Sequence, residues 1–191
     1  CREGRGSARC GAREPAPLSG LPPRYVLLLH SASWPSKLWA EDRWQRLAAW
    51  LAGNGRSVVL PWGTEAEKAR AIRIAAGIPA ATVLPDVLSG AGLAAVIAGA
   101  ELSIGLDSGL MHLSAALGVP GIWLYGPTDP GLTGPYGPGQ VVIASKDPDA
   151  PCRTRDCAHG SRCMDGVDFD RVAVAASRRL SQARSAGTTT S

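Results

Sequence analysis

Asp107, Ser108 and Gly109 lie between a short apolar run and a helix-like segment, within the stretch ELSIGLDSGLMHLSAAL (101–117). A helix that begins directly after a strand leaves its first amide groups unpaired, and these groups and the helix dipole favour a bound anion. Gly109 would let a phosphate approach the backbone closely, and Ser108 adds a hydroxyl donor. The simpler alternative is that Asp107 or Ser108 only caps the helix. These residues therefore predict either a phosphate site or an ordinary helix cap.

Polar residues also follow two earlier apolar runs. The loop HSASWPSKLW (30–39) offers three serine hydroxyls and the ammonium group of Lys37, which together suit a phosphate. Lys37 could equally be an exposed loop side chain. Glu67 could accept hydrogen bonds from sugar hydroxyls, or it could form a capping box with Thr64. His112, one turn into the helix, could approach the same phosphate or be an ordinary helix residue.

Three cysteines and a histidine share one loop near the carboxyl end of the chain: Cys152, Cys157, His159 and Cys163. Four such groups match the number of ligands that zinc prefers, but the C-x4-C-x5-C spacing lacks a CxxC knuckle, so zinc is the minority interpretation. Reduced thiols in a cytosolic protein explain the odd number of cysteines most simply. We therefore predict no metal and no cofactor. The fingerprints of NAD-binding and P-loop sites, GxGxxG and GxxxxGK[ST], do not occur.

Apolar runs alternate with amphipathic segments along most of the chain. Strands are predicted at 25–29, 57–60, 82–84, 102–106, 121–125 and 140–144, and helices at 40–52, 64–76, 92–98, 110–117 and 168–183. The fourth helix is expected to bury Leu110, Leu113, Ala116 and Leu117, while Trp39 and Trp44 are interpreted as packing residues. The alternation predicts an α/β fold, a Rossmann-like parallel sheet with helices on both faces. Ligands of such sheets bind beyond the carboxyl ends of the strands.

The 191-residue chain suits one α/β domain. Residues 1–22 are predicted as a flexible arm, 23–184 as the folded domain and 185–191 as a disordered tail. The positive charge is concentrated in the arm and the last 21 residues, which argues against a nucleic-acid partner. The sequence has no apolar run of about 18 residues and no signal-peptide pattern. Because it begins with cysteine, we expect a fragment or a processed piece.

Four segments together resemble glycosyltransferase family 9, the lipopolysaccharide heptosyltransferases, and its type I members in particular. They are LLHSASWPSKLW, VVLPWGTEAEKARA, GLDSGLMHLSAALGVPGIWLYGPTDPGLTGPYG and the cysteine loop ending in RCMDGV. The resemblance implies a GT-B enzyme with two Rossmann-like domains, of which this chain is the C-terminal, donor-binding half. It implies that heptose is transferred with inversion from ADP-L-glycero-D-manno-heptose to the Kdo of the lipopolysaccharide inner core.

The same resemblance implies that the N-terminal half binds the lipid-A-Kdo acceptor and supplies an Asp as general base, so no catalytic residue is expected in this chain. The implied location is the cytoplasm, with peripheral association at the cytoplasmic face of the inner membrane. A stand-alone module that binds nucleotide sugars without transferase activity is the alternative function.

The resemblance also assigns roles to single residues. Glu67 would hold the ribose, Leu88 would line the adenine pocket, and Asp107 would contact the heptose hydroxyls. Ala32 stands where the family often has threonine, so that only a backbone contact would remain there. The residues expected at or near the pyrophosphate are Ser33, Lys37, Ser108, Gly109, Leu110 and His112.

Overall fold

The computed structural model describes residues 20–155, 157 and 162–187. Its centre is a sheet of six parallel strands: β1 (Tyr25–Leu29), β2 (Ser57–Leu60), β3 (Ala81–Val83), β4 (Leu102–Leu106), β5 (Gly121–Tyr125) and β6 (Gln140–Ala144). The strand order is β3-β2-β1-β4-β5-β6, and Val26 of β1 pairs with Val58 on one side and Leu102 on the other. The predicted parallel α/β sheet is confirmed.

Helices lie between these strands and after the last one. They are α1 (Glu41–Gly53), α2 (Glu65–Ala75), α3 (Gly90–Ala98), α4 (Gly109–Ala116), α5 (Pro130–Thr133), α6 (Arg162–Asp165) and α7 (Phe169–Gly187), together with a 3-10 turn over Pro35–Lys37. The 3-10 turn, α5 and α6 were not predicted, because segments of three or four residues are too short to show a helical period.

The sheet is buried on both faces, which explains why its strands read as continuous apolar runs. Every residue of β1 is buried. Val26 and Leu28 enter a core layer with α1, α2 and α7, whereas Leu27 and Leu29 enter a layer with α3 and α4. Alternate residues of one strand therefore serve opposite faces, as the pleat requires.

Trp39 and Trp44 are completely buried, and their rings meet edge to face with centroids 5.1 Å apart. The indole N–H of Trp39 donates to the carbonyl of Val167 at 3.1 Å. Their predicted role as packing residues is confirmed. They anchor the start of α1 and the chain segment that follows Lys37.

The predicted inner face of α4 was partly wrong, because Leu110 and Leu113 pack against the core but the other two predicted residues do not. Ala116 and Leu117 are exposed, and the fully buried residues are Met111 and Ser114. Met111 packs over Gly105, where an added Cβ would lie 2.7 Å from the Met111 side chain. Because this helix is apolar on nearly every side, its sequence does not specify which side faces the sheet.

The carboxyl-terminal boundary also differs from the prediction. α7 continues to Gly187, so the predicted tail begins as helix, because no helix-breaking residue precedes Gly187. Of the predicted arm, 1–19 lies outside the described residues, and Leu21 packs against the core. Across the described ranges, every helix is too short or too polar to span a bilayer.

Candidate functional site

A cavity of about 470 Å³ opens at the carboxyl ends of the strands, between the loops that follow β1, β2, β3 and β4. The strand order reverses between β1 and β4, so the loops diverge there and leave room for a ligand. Seven of the ten predicted donor-binding residues line this cavity: Ala32, Ser33, Glu67, Leu88, Ser108, Gly109 and Leu110. The other three, Lys37, Asp107 and His112, form a polar group beside it.

Ser108 is the N-cap residue of α4, with an extended backbone, but its side chain makes no capping hydrogen bond. The hydroxyl oxygen of Ser108 is buried and has no partner among the described residues. The amides of Gly109 and Leu110, at the first two helical positions, have no acceptor within the helix. A hydroxyl and two amides are thus available at one wall of the cavity.

Lys37 forms an ion pair with Asp107. Its ammonium nitrogen lies 2.8 Å from Oδ2 of Asp107 and 3.2 Å from the carbonyl oxygen of the same residue. The 3-10 turn that begins at Pro35 directs Lys37 toward β4, and the ammonium group also lies 4.7 Å from the centre of the Trp34 ring. The side chains of Lys37 and Asp107 are only 12% and 6% exposed. The alternative that Lys37 is an ordinary exposed loop residue was therefore wrong.

Asp107 has two further neighbours. The hydroxyl of Thr133 donates to its Oδ2 at 3.3 Å, and Nε2 of His112 lies 3.8 Å from Oδ1. The His112 ring packs edge to face on Trp123, with centroids 4.8 Å apart. Tyr125 donates to the carbonyl of Thr133, and burial together with the Asp107 charge raises the Tyr125 pKa. Sequence reasoning gave Thr133 no role, although it lies in the distinctive TDPGLT segment.

Glu67 lines the cavity and also completes the predicted capping box of α2. Its Oε2 accepts hydrogen bonds from the amides of Gly63 at 2.7 Å and Thr64 at 3.2 Å, and the Thr64 hydroxyl accepts from the Glu67 amide. These bonds use only one carboxylate oxygen, so the cap is compatible with a second role for the other oxygen. Trp62 supports this wall by donating to the carbonyl of Leu84 at 2.5 Å.

His30 lies in the floor of the cavity, directly after β1, and is 1% exposed. Its Nδ1 lies 3.0 Å from the hydroxyl of Ser31, and its Nε2 is buried without a partner among the described residues. Burial, reinforced by the charge of Arg70, lowers the His30 pKa to about 4. The imidazole is therefore neutral at physiological pH.

The three cysteines approach each other next to the Lys37 turn. Cys152, Cys157 and Cys163 are free thiols, and their sulfur atoms lie within 4.8 Å of one another. Burial and the neighbouring Cys152 raise the Cys163 pKa to about 11. His159, the fourth residue of the sequence pattern, lies outside the described residues.

The geometry combines three chemical surfaces at one rim. Leu88 and Leu93 provide an apolar wall, Glu67 provides a carboxylate, and the start of α4 provides N–H and O–H donors next to the ammonium group of Lys37. A flat apolar group, hydroxyl groups and an anion could be held side by side by such a site. A nucleotide has these three parts.

Three comparisons with known proteins bear on this site. The model of glycosyltransferase family 9 (heptosyltransferase) matches residues 8–162, beginning within the segment predicted as an arm. A protein named lipopolysaccharide heptosyltransferase 1 from Pseudomonas aeruginosa is 49% identical over 146 residues, 76% of this chain and 41% of the relative. The chain thus spans about two fifths of the length of that relative.

Two solved structures of the heptosyltransferase WaaC from E. coli are similar to this chain. The structure with ADP has a TM-score of 0.68 and 36% identity, and the match covers 81% of this chain and 44% of the other. The structure with ADP-2-deoxy-2-fluoro heptose has a TM-score of 0.60 and 41% identity, covering 67% of this chain and 40% of the other.

Proposed function

The chain belongs to glycosyltransferase family 9, the heptosyltransferases, and we propose that it is the donor-binding half of a lipopolysaccharide heptosyltransferase. The donor is ADP-L-glycero-D-manno-heptose, and the acceptor is the Kdo of lipid-A-Kdo. One observation carries this proposal: the unpaired donors at the start of α4 and the Lys37–Asp107 pair lie at the rim of a nucleotide-sized cavity. The WaaC structures with ADP and with an ADP-heptose analogue support the choice of nucleotide.

In the proposed complex, the adenine lies against Leu88 and the free oxygen of Glu67 accepts a ribose hydroxyl. The pyrophosphate lies against the hydroxyl of Ser108 and the amides of Gly109 and Leu110, with Ser33 and the backbone of Ala32 on the opposite wall. The negative pyrophosphate is attracted by the helix start and by the ammonium group of Lys37. His112 stays close to the phosphate through its position on α4.

Asp107 has two functions in this proposal. In the free chain it holds Lys37 in place, at 2.8 Å. In the complex its Oδ1 accepts a hydrogen bond from a heptose hydroxyl while Oδ2 keeps the Lys37 contact. An Asp that positions the phosphate-binding cation and also binds the sugar would couple recognition of the two parts of the donor.

The transfer proceeds with inversion. The acceptor hydroxyl loses its proton to the general base of the N-terminal half and attacks the anomeric carbon of heptose. The bond between that carbon and the ADP oxygen breaks, and ADP leaves with the electron pair. Charge on the leaving phosphate grows in the transition state, where the fixed donors of α4 and Lys37 stabilise it most. We place this reaction at the cytoplasmic face of the inner membrane.

Calorimetric titration of the chain with four ligands tests the donor assignment. We expect ADP-heptose and ADP to bind, and UDP-glucose and GDP-mannose to bind at least tenfold more weakly, because the apolar wall at Leu88 is expected to fit adenine better than the other bases. Equal affinity for all four ligands, or no affinity for ADP, would refute the proposal. A stand-alone module that binds nucleotide sugars would give the same titration result. A transfer assay with lipid-A-Kdo separates such a module from the enzyme.

A further inference from the structure

The thiols of Cys152, Cys157 and Cys163 form a compact triangle outside the donor cavity. No two of their sulfur atoms are more than 4.8 Å apart, and Cys163 is buried while the other two are half-buried. In a tetrahedral zinc site with Zn–S bonds of about 2.3 Å, neighbouring sulfur atoms lie about 3.8 Å apart. Contraction by about 1 Å or less would therefore turn this triangle into one face of a zinc tetrahedron.

The cysteine loop is joined to the turn that carries Lys37. The hydroxyl of Ser36, the neighbour of Lys37, lies 3.2 Å from the carbonyl of Thr154 and 2.9 Å from that of Arg155. Both carbonyls belong to residues between the first two cysteines. The position of the thiol triangle and the position of the Lys37 turn are therefore linked by direct hydrogen bonds.

The helix that carries Cys163, α6, packs closely against the residue that follows β5. A Cβ added at Gly126, directly after β5, would lie 2.4 Å from Sδ of Met164 and 3.0 Å from the carbonyl carbon of Cys163. The amide of Arg153 also donates to the carbonyl of Pro127 at 2.7 Å. The described part of the loop thus contacts both the end of β5 and the Lys37 turn, and the three thiols come from its beginning, middle and end.

We propose that Cys152, Cys157 and Cys163 bind one zinc ion as thiolates, and that the ion fastens this loop behind the Lys37 turn. Thiolates are soft ligands that select zinc over magnesium or calcium, and each thiol releases its proton on binding. The described residues supply three ligands. The zinc site stands independently of the donor assignment, whereas its effect on Lys37 rests on the proposed function.

Metal analysis of the full chain, purified in a phosphine reductant without chelators, is the first test. We expect about one zinc per chain after equilibration with zinc and gel filtration. Cys152→Ser, Cys157→Ser and Cys163→Ser should each lose at least nine tenths of it, while Cys10→Ser, which lies outside the described residues, should retain it. Absence of stoichiometric zinc, a preference for iron, or equal loss in Cys10→Ser would overturn the proposal.

Thiol reactivity and cobalt spectra provide readouts that are independent of activity. In the zinc-loaded chain the half-buried Cys152 and Cys157 should be protected from a thiol reagent, and chelation should make these two thiols reactive. Cobalt should replace zinc with an intense thiolate-to-metal absorption band that the three variants lack. Reactive Cys152 and Cys157 in the presence of zinc, or protection of these two thiols that persists without any metal, would contradict a thiolate site.

Removal of zinc from the wild-type chain tests the structural role without a substitution that could prevent folding. We expect chelation to lower the melting temperature by about 5 °C or more and to weaken ADP binding several-fold, with both effects reversed by zinc. An unchanged melting temperature would overturn the structural role. A zinc-loaded chain that fails to bind ADP would instead refute the proposed donor function and leave the metal site intact.

Discussion

Ser108 has an N-cap backbone but an unused hydroxyl, which is an unusual arrangement for a serine at the start of a helix. A buried hydroxyl without a partner costs about 1–3 kcal/mol relative to one that is hydrogen-bonded. No described residue pairs with the Ser108 hydroxyl, and a pyrophosphate oxygen could accept its hydrogen bond. The Ser108 hydroxyl is therefore available to a ligand.

Ser108→Ala should separate binding from stability. We expect an unchanged or higher melting temperature, because the substitution removes an unsatisfied hydroxyl rather than a cap. We also expect about a tenfold rise in the Kd for ADP, because one hydrogen bond to a charged oxygen is lost. Calorimetry and thermal denaturation measure the two effects.

Ser89→Ala is the matched control for Ser108→Ala. Ser89 is the N-cap of α3, and its hydroxyl does accept a hydrogen bond from the Gly92 amide at 3.2 Å. Its removal should cost about 1 kcal/mol of stability. If Ser108→Ala destabilised the chain as much as Ser89→Ala does, Ser108 would be an ordinary cap and the phosphate assignment would lose its main support.

Lys37→Met should weaken ADP binding and also destabilise the free chain. The variant leaves Asp107, which is 6% exposed, without its cationic partner, at a cost on the order of 2 kcal/mol. The double variant Lys37→Met/Asp107→Asn removes both charges and should regain most of the stability but none of the ADP affinity. Urea denaturation measures the stability, and calorimetry at low and high salt measures the affinity for ADP. The loss of affinity should be larger at low salt, because salt screens the charge of Lys37. Recovery of ADP binding in the double variant would show that Lys37 acts only through Asp107.

His30 should make the chain sensitive to acid. Its pKa in the folded chain is about 4, below its ordinary value of 6.5, because the neutral imidazole is buried near Arg70. Between pH 6.5 and 4 the unfolded chain takes up a proton that the folded chain does not, so stability falls as the pH falls through this window. The loss due to His30 should approach about 3 kcal/mol at pH 4.

Urea denaturation between pH 7.5 and 4.5 checks the His30 prediction. His30→Gln should flatten the pH dependence in this window. NMR titration gives the pKa of each imidazole directly. A pKa for His30 near 6.5 in the folded chain would contradict the prediction.

Helix α2 shows how one element serves both the fold and the site. The capping box uses one oxygen of Glu67 and leaves the other beside the cavity. Glu67→Gln keeps an oxygen that can accept from the same amides, so we expect a stability change below about 0.5 kcal/mol. ADP binding should weaken several-fold, because the charged acceptor for the ribose is lost. Calorimetry with ADP and thermal denaturation give both values.

Thr64→Ala provides the reverse test on the same helix. It removes the hydroxyl that accepts the Glu67 amide, so it should cost about 1 kcal/mol of stability and leave ADP binding nearly unchanged. If both variants changed stability and binding in proportion, Glu67 would act only as a cap. The ribose role would then have to be abandoned.

The elements also show what the sequence could predict. Five of the six strands were predicted with the bounds observed, because continuous apolar runs bounded by turn residues have few alternatives. The inner face of α4 was predictable only in part: Leu110 and Leu113 do pack against the core, but Met111 is the residue that is fully buried. Met111 is selected by the missing side chain of Gly105, a long-range fit that no local pattern encodes.

The candidate site, like the secondary structure, was predictable from the sequence only in part. Residues directly after strands were predicted to share a rim because the topology of a parallel sheet brings them together. The Lys37–Asp107 distance and the unused hydroxyl of Ser108 were not predictable, because they depend on how an unpredicted 3-10 turn packs against β4. The thiol triangle likewise depends on the folding of a long loop rather than on a known spacing.

The match to the P. aeruginosa relative covers 41% of that protein, and the described residues of this chain line a nucleotide-sized cavity at one edge of the sheet. The carboxylates next to this region are already held in the described structure. Glu67 is bound by two amides, and Asp107 is bound by Lys37 and Thr133. In the proposed complex the remaining carboxylate oxygens of Glu67 and Asp107 bind the ribose and the heptose, so neither residue is placed to activate an acceptor hydroxyl.

We therefore expect the isolated 191-residue chain to bind ADP-heptose without transferring heptose. Incubation with ADP-heptose and lipid-A-Kdo should give no heptosylated product by mass spectrometry, whereas addition of a separately expressed N-terminal half of a family 9 heptosyltransferase should restore some transfer. Ser108→Ala should reduce the restored rate, because the leaving phosphate carries its largest charge in the transition state. Transfer by the chain alone would mean that Asp107 or Glu67 is released to act as a base when the donor binds. Failure of the N-terminal half to restore transfer, with ADP-heptose binding intact, would favour a module that binds nucleotide sugars without acting on them.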